Sequence, residues 1–326
     1  MQLEIVMYHY VRPHASTEFP KIQGLDIEGF VRQMDFFYEN KNVVSTNDVL
    51  SAFNGDLKLP DNAVWLTFDD GYKDHYEYAA PVLEKYGFNA AFFPVSDTYT
   101  SDVLLDVNAI HHILACHASN AGLLALLREE MLNAGFTKEE IQTLWKSVKE
   151  DPKFNEKLKH YLRWESSNET PSYDTEIVLI FKRTLQGTLP HLVRKKIIDR
   201  IFEMVVGMSK QSLAKKLYMS KLELTSLVKR GFTVGSHTSS HRWLSHLTYD
   251  EQLEEIDNSL TSLREINGSI DNWIFCYPCG AYNADTLDIL SKKNCSLGLT
   301  TKSGAAVVSY NNRFELPRLD TNDLPQ

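Results

Sequence analysis

Four cysteines in 326 residues are too few for a disulfide-framed scaffold, and a chain of this length buries enough apolar surface without covalent staples. Cys116, Cys276, Cys279 and Cys295 are therefore expected as reduced thiols. Long apolar runs are also missing: the longest, such as Ile177 to Phe181, have strand length and fall far short of a bilayer span. Positive charge is in deficit, with 34 Lys and Arg against 43 Asp and Glu and a formal net charge of -9, which repels a phosphate backbone and argues against nucleic acid as a partner. The opening Met-Gln-Leu-Glu-Ile-Val-Met lacks the basic region and apolar stretch of a secretory leader, so a cytoplasmic location is expected. Internal repeats, low-complexity tracts and charge blocks are absent. What remains is ordinary globular usage, 43% hydrophobic and 24% charged. The length suits two domains, or one α/β barrel of about 250 residues with an insertion.

Short β-branched and aromatic runs bounded by turn residues read as buried parallel strands at 3–8, 63–68, 90–93, 232–235, 273–277 and 297–300. Helical patterns lie between them at 27–39, 79–86, 249–266 and 284–293, with Gly87 and Gly268 placed as C-terminal stops. Alternating strand and helix predicts a βα-repeat fold. The alternation fails over residues 100–227, which carry helical patterns at 103–131, 138–164, 176–186, 191–206 and 221–229, with a polar break at 168–174 around Pro171. The expected organisation is a discontinuous barrel, 1–99 and 228–326, interrupted by an all-helical insertion, 100–227. The last residues, 320–326, are expected to fray.

Two motifs carry chemistry. Thr67-Phe68-Asp69-Asp70-Gly71 follows an apolar strand, and two adjacent carboxylates there raise one another's pKa unless a cation sits beside them. Phe232-Thr233-Val234-Gly235-Ser236-His237 runs into Thr238-Ser239-Ser240-His241, placing two imidazoles four residues apart just past a strand end. A helical turn at that point puts them on one face. One Asp with two His makes a metal site with open positions, the catalytic rather than the closed structural type.

These motifs resemble those of the polysaccharide deacetylase family, the carbohydrate esterase 4 or NodB-homology enzymes, as does the strand and loop Phe275-Cys276-Tyr277-Pro278-Cys279-Gly280. The resemblance covers roughly 1–95 and 227–319. It implies a distorted (β/α) barrel of the NodB type, with Asp69 as general base and Asp70, His237 and His241 holding one divalent metal ion, zinc first, with cobalt, nickel and iron as alternatives. The third motif departs from the family's Arg-x-Pro-x-Gly, because Cys276 stands where Arg belongs and Cys279 where an aromatic does. The Cys279 backbone N–H can still serve an oxyanion, whereas the Arg role needs another residue, for which Arg318 in Leu316-Pro317-Arg318-Leu319 is the candidate. Tyr277, Pro278 and Gly280 complete this oxyanion and substrate loop. The family's late histidine is missing too. His9, in Tyr8-His9-Tyr10 at the end of the first strand, resembles the proton donor of circularly permuted members. The other histidines, at 75, 111, 112, 117, 160, 191 and 246, are expected at the surface. A Cys276-x2-Cys279 zinc or redox pair is the lesser reading, since no second pair exists.

The implied activity is metal-dependent removal of an N-acetyl group from an amino sugar, in a glycan precursor or oligosaccharide of surface polysaccharide synthesis, with no membrane span. The helical insertion is a candidate lid, specificity wall or homo-oligomer interface. Hydrolysis of another C–N amide bond, a glycan-binding module with a decayed site, and an interaction scaffold built on the insertion stay open as alternatives.

Overall fold

Every residue of the strand Ala63–Asp70 is buried, and its side chains alternate between two different apolar layers. The computed structural model describes residues 2–22, 24–152, 154 and 176–324. Its strands are β1 (Gln2–Tyr8), β2 (Asn42–Val43), β3 (Ala63–Asp70), β4 (Ala90–Pro94), β5 (Thr233–Val234), β6 (Ile274–Cys276), β7 (Leu297–Leu299), β8 (Ala306–Val307) and β9 (Leu319–Asp320). Parallel pairing runs from β9 through β1, β3 and β4 to β5. A single parallel bridge, Ser236 to Phe275, carries it on to β6 and β7, and a second, Leu299 to Leu316, returns it to the segment entering β9. Closure through two single bridges makes the ring a distorted barrel, with β2 and β8 appended to β3 and β1.

Period-two alternation sorts the side chains. Leu3, Ile5, Trp65, Phe93, Ile274, Cys276, Leu299 and Leu316 form one layer, the barrel interior. Val6, Tyr8, Leu66, Phe68, Phe92, Phe275 and Tyr277 form the other, packed against Phe30, Met34 and Phe37 of helix Ile27–Asn40 and Ile256, Leu260 and Leu263 of helix Tyr249–Asn267. Val49 and Phe53, from helix Thr46–Asn54, join the interior layer. That helix has only nine residues, and the sequence reading passes over it although Ser45 and Asp48 form a capping box and Gly55 ends it in the left-handed region.

The chain divides into two compact units. One comprises residues 1–17, 23–103 and 214–326, the other 18–22 and 104–213. Helix Lys221–Lys229, expected in the insertion, packs with β5 and helix Tyr249–Asn267 in the first unit. In the second unit, helix His191–Val206 packs on helices Asp106–Cys116 and Asn120–Asn133, and Ile197, Ile201, Ile110 and Leu127 of these helices are buried. The pattern at 103–131 is split by the break after Cys116, and Lys138–Glu150 covers only the start of the pattern at 138–164. The end of that pattern, His160 and the break at 168–174 lie outside the described residues. The tail is ordered as far as it is described: β9 pairs with β1, and Thr321–Asp323 form a turn capped by Asp320.

Two histidines expected at the surface are core residues. His112 is buried because nearly all faces of helix Asp106–Cys116 are covered, and its ring meets Phe19 edge-on. His75 is buried among Phe68, Tyr72 and Phe92. Replacing Phe93, fully buried in the barrel interior, by Ala should cost about 3–5 kcal/mol, read as a lower chemical-denaturation midpoint.

Candidate active site

The register of β1 on β3 brings the first two chemical groups together. Tyr8 lies opposite Phe68, so the next residues, His9 and Asp69, emerge side by side at the strand ends, with His9 Nε2 4.0 Å from Asp69 Oδ2. His9 keeps 43% of its side chain exposed, whereas Asp69 keeps 2%. Asp69 shares the inward face of β3 with Trp65 and Thr67, at the C-terminal end where barrel sites are built.

A buried carboxylate needs a partner, and Arg318 supplies it. Its Nη1 and Nη2 donate to Asp69 Oδ1 and Oδ2 at 2.9 and 2.7 Å, a bidentate clamp. The guanidinium is itself fully committed, with Nε on the Thr300 carbonyl at 2.9 Å and Nη1 also on Thr67 Oγ1 at 3.2 Å. Burial pushes the Asp69 carboxyl up, but the Arg318 charge outweighs it and holds the pKa at about 2. Cys276 completes the arrangement, its Sγ donating to Asp69 Oδ2 at 3.4 Å and accepting from Arg318 Nη2 at 3.1 Å. Burial raises the Cys276 pKa, keeping it a thiol. Asp69, His237 and Cys276 thus cluster closely, but the guanidinium already spans two of them and would repel a cation there.

The other cluster, Asp70, His237 and His241, is different. Asp70 Oδ2 accepts from the Tyr72 hydroxyl at 2.7 Å, while the buried Oδ1 has no hydrogen-bond partner. That orphan oxygen faces His237 Nε2 at 3.5 Å and His241 Nε2 at 3.4 Å. His237 Nδ1 lies 2.8 Å from the Cys276 carbonyl, which can only accept, so Nδ1 carries a proton and Nε2 is turned to Asp70. Burial lowers the His237 pKa, but Cys276 and Asp70 outweigh it and raise it well above its ordinary value, and an ion bound here would take the place of the Nε2 proton. Burial holds the His241 pKa down to about 4, against the attraction of Asp70, so this imidazole is neutral at neutral pH. Three lone-pair donors converging on one point fit a divalent cation of the kind that imidazole and carboxylate bind.

The backbone bringing these groups together is not helical. Thr238 and His241 both sit in the left-handed region, at φ 65° and 61°, and the Thr238 hydroxyl accepts from the His241 N–H at 3.1 Å. The expected helical face is therefore replaced by a strained loop, a conformation held at a cost for a β-branched residue. Asp70 is also left-handed, at φ 69°, followed by Gly71 at φ 72°, where a Cβ would lie 2.7 Å from that of Pro94.

The third motif is divided by strand alternation. Cys276 points to the barrel interior, so Tyr277 points outward, where it is fully buried with its hydroxyl on the Phe314 carbonyl at 2.7 Å. Tyr277, expected at the substrate loop, is a core residue. Pro278 is buried, Cys279 is exposed in the left-handed region at φ 53°, and Gly280 admits no side chain, since a Cβ would meet Thr301 Oγ1 at 2.1 Å. Sequence reasoning missed His75, whose Nε2 donates to the His9 carbonyl at 2.6 Å, and Tyr72; neither stands out by spacing.

Arg318→Met should leave Asp69 buried without its cation and destabilise the fold by about 3–5 kcal/mol at neutral pH. Because the folded pKa of Asp69 is depressed, the pair's contribution is present above the unfolded carboxylate range and is lost as pH falls toward about 2. The difference in denaturation midpoint between the two proteins should accordingly shrink across that acid window.

Comparison with known proteins places these groups in context. The family model for polysaccharide deacetylase matches residues 56–147 and 195–297, which include Asp69, Asp70, His237, His241, Cys276 and Cys279 but not His9 or Arg318. A curated relative, YxkH of Bacillus subtilis (strain 168), named as a polysaccharide deacetylase, is 33% identical over 95 residues. The match spans 29% of this chain and about a third of that protein's length. Among solved structures, the Streptococcus pyogenes deacetylase PplD, in complex with acetate, aligns with a TM-score of 0.56 at 18% identity, over 99% of this chain and 96% of that one. A de-N-acetylase from Aggregatibacter actinomycetemcomitans aligns with a TM-score of 0.56 at 16% identity, over 98% and 96%. IcaB from Ammonifex degensii gives 0.53 at 16%, over 98% and 91%. At these identities the structural likeness carries the fold, the distorted NodB-type barrel. The family follows from the sequence model, which matches more than half of the residues: this chain belongs to the polysaccharide deacetylase family.

Proposed function

We propose that this chain is a metal-dependent carbohydrate N-deacetylase acting on an N-acetylated amino sugar within a glycan precursor or oligosaccharide. The observation that carries the reading is the pairing, in one barrel mouth, of a clamped ionised carboxylate, Asp69, with an orphan carboxylate oxygen facing two imidazoles. Asp70, His237 and His241 would hold the ion, zinc by donor chemistry, with cobalt, nickel and iron also suited. When bound, such an ion supplies Lewis acidity that makes water more acidic and polarises a carbonyl.

The protein's own groups do the rest. Asp69 accepts the proton of the attacking water; its clamp keeps the carboxylate ionised and aimed, although a base with a pKa near 2 is weak on its own. The water oxygen adds to the acetamide carbon, and the Cys279 N–H donates to the developing oxyanion. His9, open to solvent 4.0 Å from Asp69, gives a proton to the sugar nitrogen as the C–N bond breaks. The products are acetate and a free amine. A decayed binding module is disfavoured by the intact set of Asp69, Asp70, His237 and His241 gathered at one place. No described helix is long and apolar enough to cross a membrane.

Metal analysis of the purified chain, combined with acetate release across N-acetylated sugar nucleotides and oligosaccharides, tests the assignment, with formate release scored alongside for the other amide chemistry. Asp69→Asn should keep the metal and lose about 10²–10⁴-fold in turnover. His241→Ala should lose the metal and the activity together. Full activity in Asp69→Asn, or no acetate from any substrate with metal bound, would overturn the reading.

A further inference from the structure

Helix Tyr249–Asn267 carries a carboxylate where packing calls for an apolar residue. Glu255 is 6% exposed and precedes Ile256 on the buried side of the helix, with Leu260 and Leu263 further along it. Among the described residues no Lys or Arg pairs with it. The titratable group it faces is another acid, Asp97, whose carboxyl is pushed up to about 6 by burial and by the Glu255 charge. A buried acid without a cation persists only where hydrogen-bond donors compensate its desolvation.

Those donors all come from the segment between the two histidines. Glu255 Oε2 accepts from Ser239 Oγ and from the Ser240 backbone N–H, each at 2.9 Å, and Oε1 accepts from Ser240 Oγ. Backbone amides hold the other side of the loop, Ser96 N donating to the Thr238 carbonyl at 3.2 Å and Asp97 N to the Ser239 carbonyl at 2.9 Å. The two left-handed residues, Thr238 and His241, stand at the two ends of this braced stretch. Strained conformations hold only when their surroundings over-determine them, and Glu255 supplies three of the contacts that do so here.

We propose that Glu255 is a positioning residue for the metal ligands: through Ser239 and Ser240 it sets the loop geometry that aims His237 and His241 at Asp70. The proposal rests on the metal-centre reading above, and concerns the affinity of the site rather than the reaction.

The test is titration of the full-length chain with zinc, in competition with a chromophoric chelator and with no substrate present. Outer residues that orient metal ligands typically carry a 10- to 100-fold share of affinity. Glu255→Ala should weaken zinc binding by that factor. Glu255→Gln keeps one acceptor oxygen and should recover part of it, and Ser239→Ala with Ser240→Ala should cost about tenfold. A purely structural role would lower thermal stability in Glu255→Ala while leaving zinc affinity within about threefold of the parent, and that result overturns the proposal. If Glu255→Ala does not fold, the serine double variant decides on the same criterion. Zinc affinity that depends on Glu255 in a chain releasing no acetate would sink the deacetylase reading alone; no zinc affinity in the parent chain would sink both.

Discussion

The Asp69–Arg318 pair is the constraint on which the rest of the site depends. A carboxylate held at 2% exposure is costly to keep charged, and the bidentate guanidinium is what keeps it so. The same guanidinium ties β3 to the segment entering β9, and through the Thr300 carbonyl to the residue after β7. Barrel closure, weak at its two single bridges, is thereby reinforced at the end where chemistry is placed. Structure and function draw here on one set of hydrogen bonds, so a change to this pair affects both.

Two adjacent aspartates have opposite fates because the strand ends at the second of them. Asp69 still follows the pleat and points into the mouth, clamped by an arginine; Asp70 turns into the left-handed region and faces two imidazoles. One carboxylate is saturated with donors and the other keeps an unsatisfied oxygen. Identical side chains one residue apart are thus set in different electrostatic surroundings by the turn of the backbone and the partners it gives each of them. Cys276 links the two, its thiol on Asp69 and its carbonyl on His237. An arginine at that position would bring a second guanidinium to a carboxylate already clamped by Arg318.

Much of this was legible in the sequence. The six strand runs all form strands, because β-branched and aromatic segments bounded by turns leave few alternatives, and Asp69-Asp70 with His237 and His241 announced a convergent site. The helical reading of His-x3-His failed because four-residue spacing is equally compatible with a loop, and only the left-handed conformations of Thr238 and His241 reveal which applies. Tyr277 was misread for want of alternation: its neighbour Cys276 faces inward, so Tyr277 cannot. Arg318 had a motif-level argument but no local signal, since its partner is fixed by register and not by spacing. Glu255 had none, being one acid among several in Asp-Glu-Gln-Leu-Glu-Glu. The burial of His112 is not legible because a short helix covered on nearly every face leaves no amphipathic pattern to read, and that of His75 because its cover comes from Phe68 and Phe92 on neighbouring strands.

The clamp on Asp69 also has a meaning in time. Its two partners are separated by 249 residues of chain, about three quarters of the sequence. At ribosomal rates of about 5–20 residues per second, roughly 12–50 s pass between synthesis of the acid and synthesis of the arginine that balances its charge. Until Arg318 emerges the Asp69 carboxylate has no counter-charge, so it stays ionised only while water reaches it, and burial ahead of the arginine would favour its protonated form. The ion pair that fixes the barrel mouth is therefore among the last contacts of the fold to become available, and Asp69 can be sealed from water as an ion only once that late piece of the barrel has arrived.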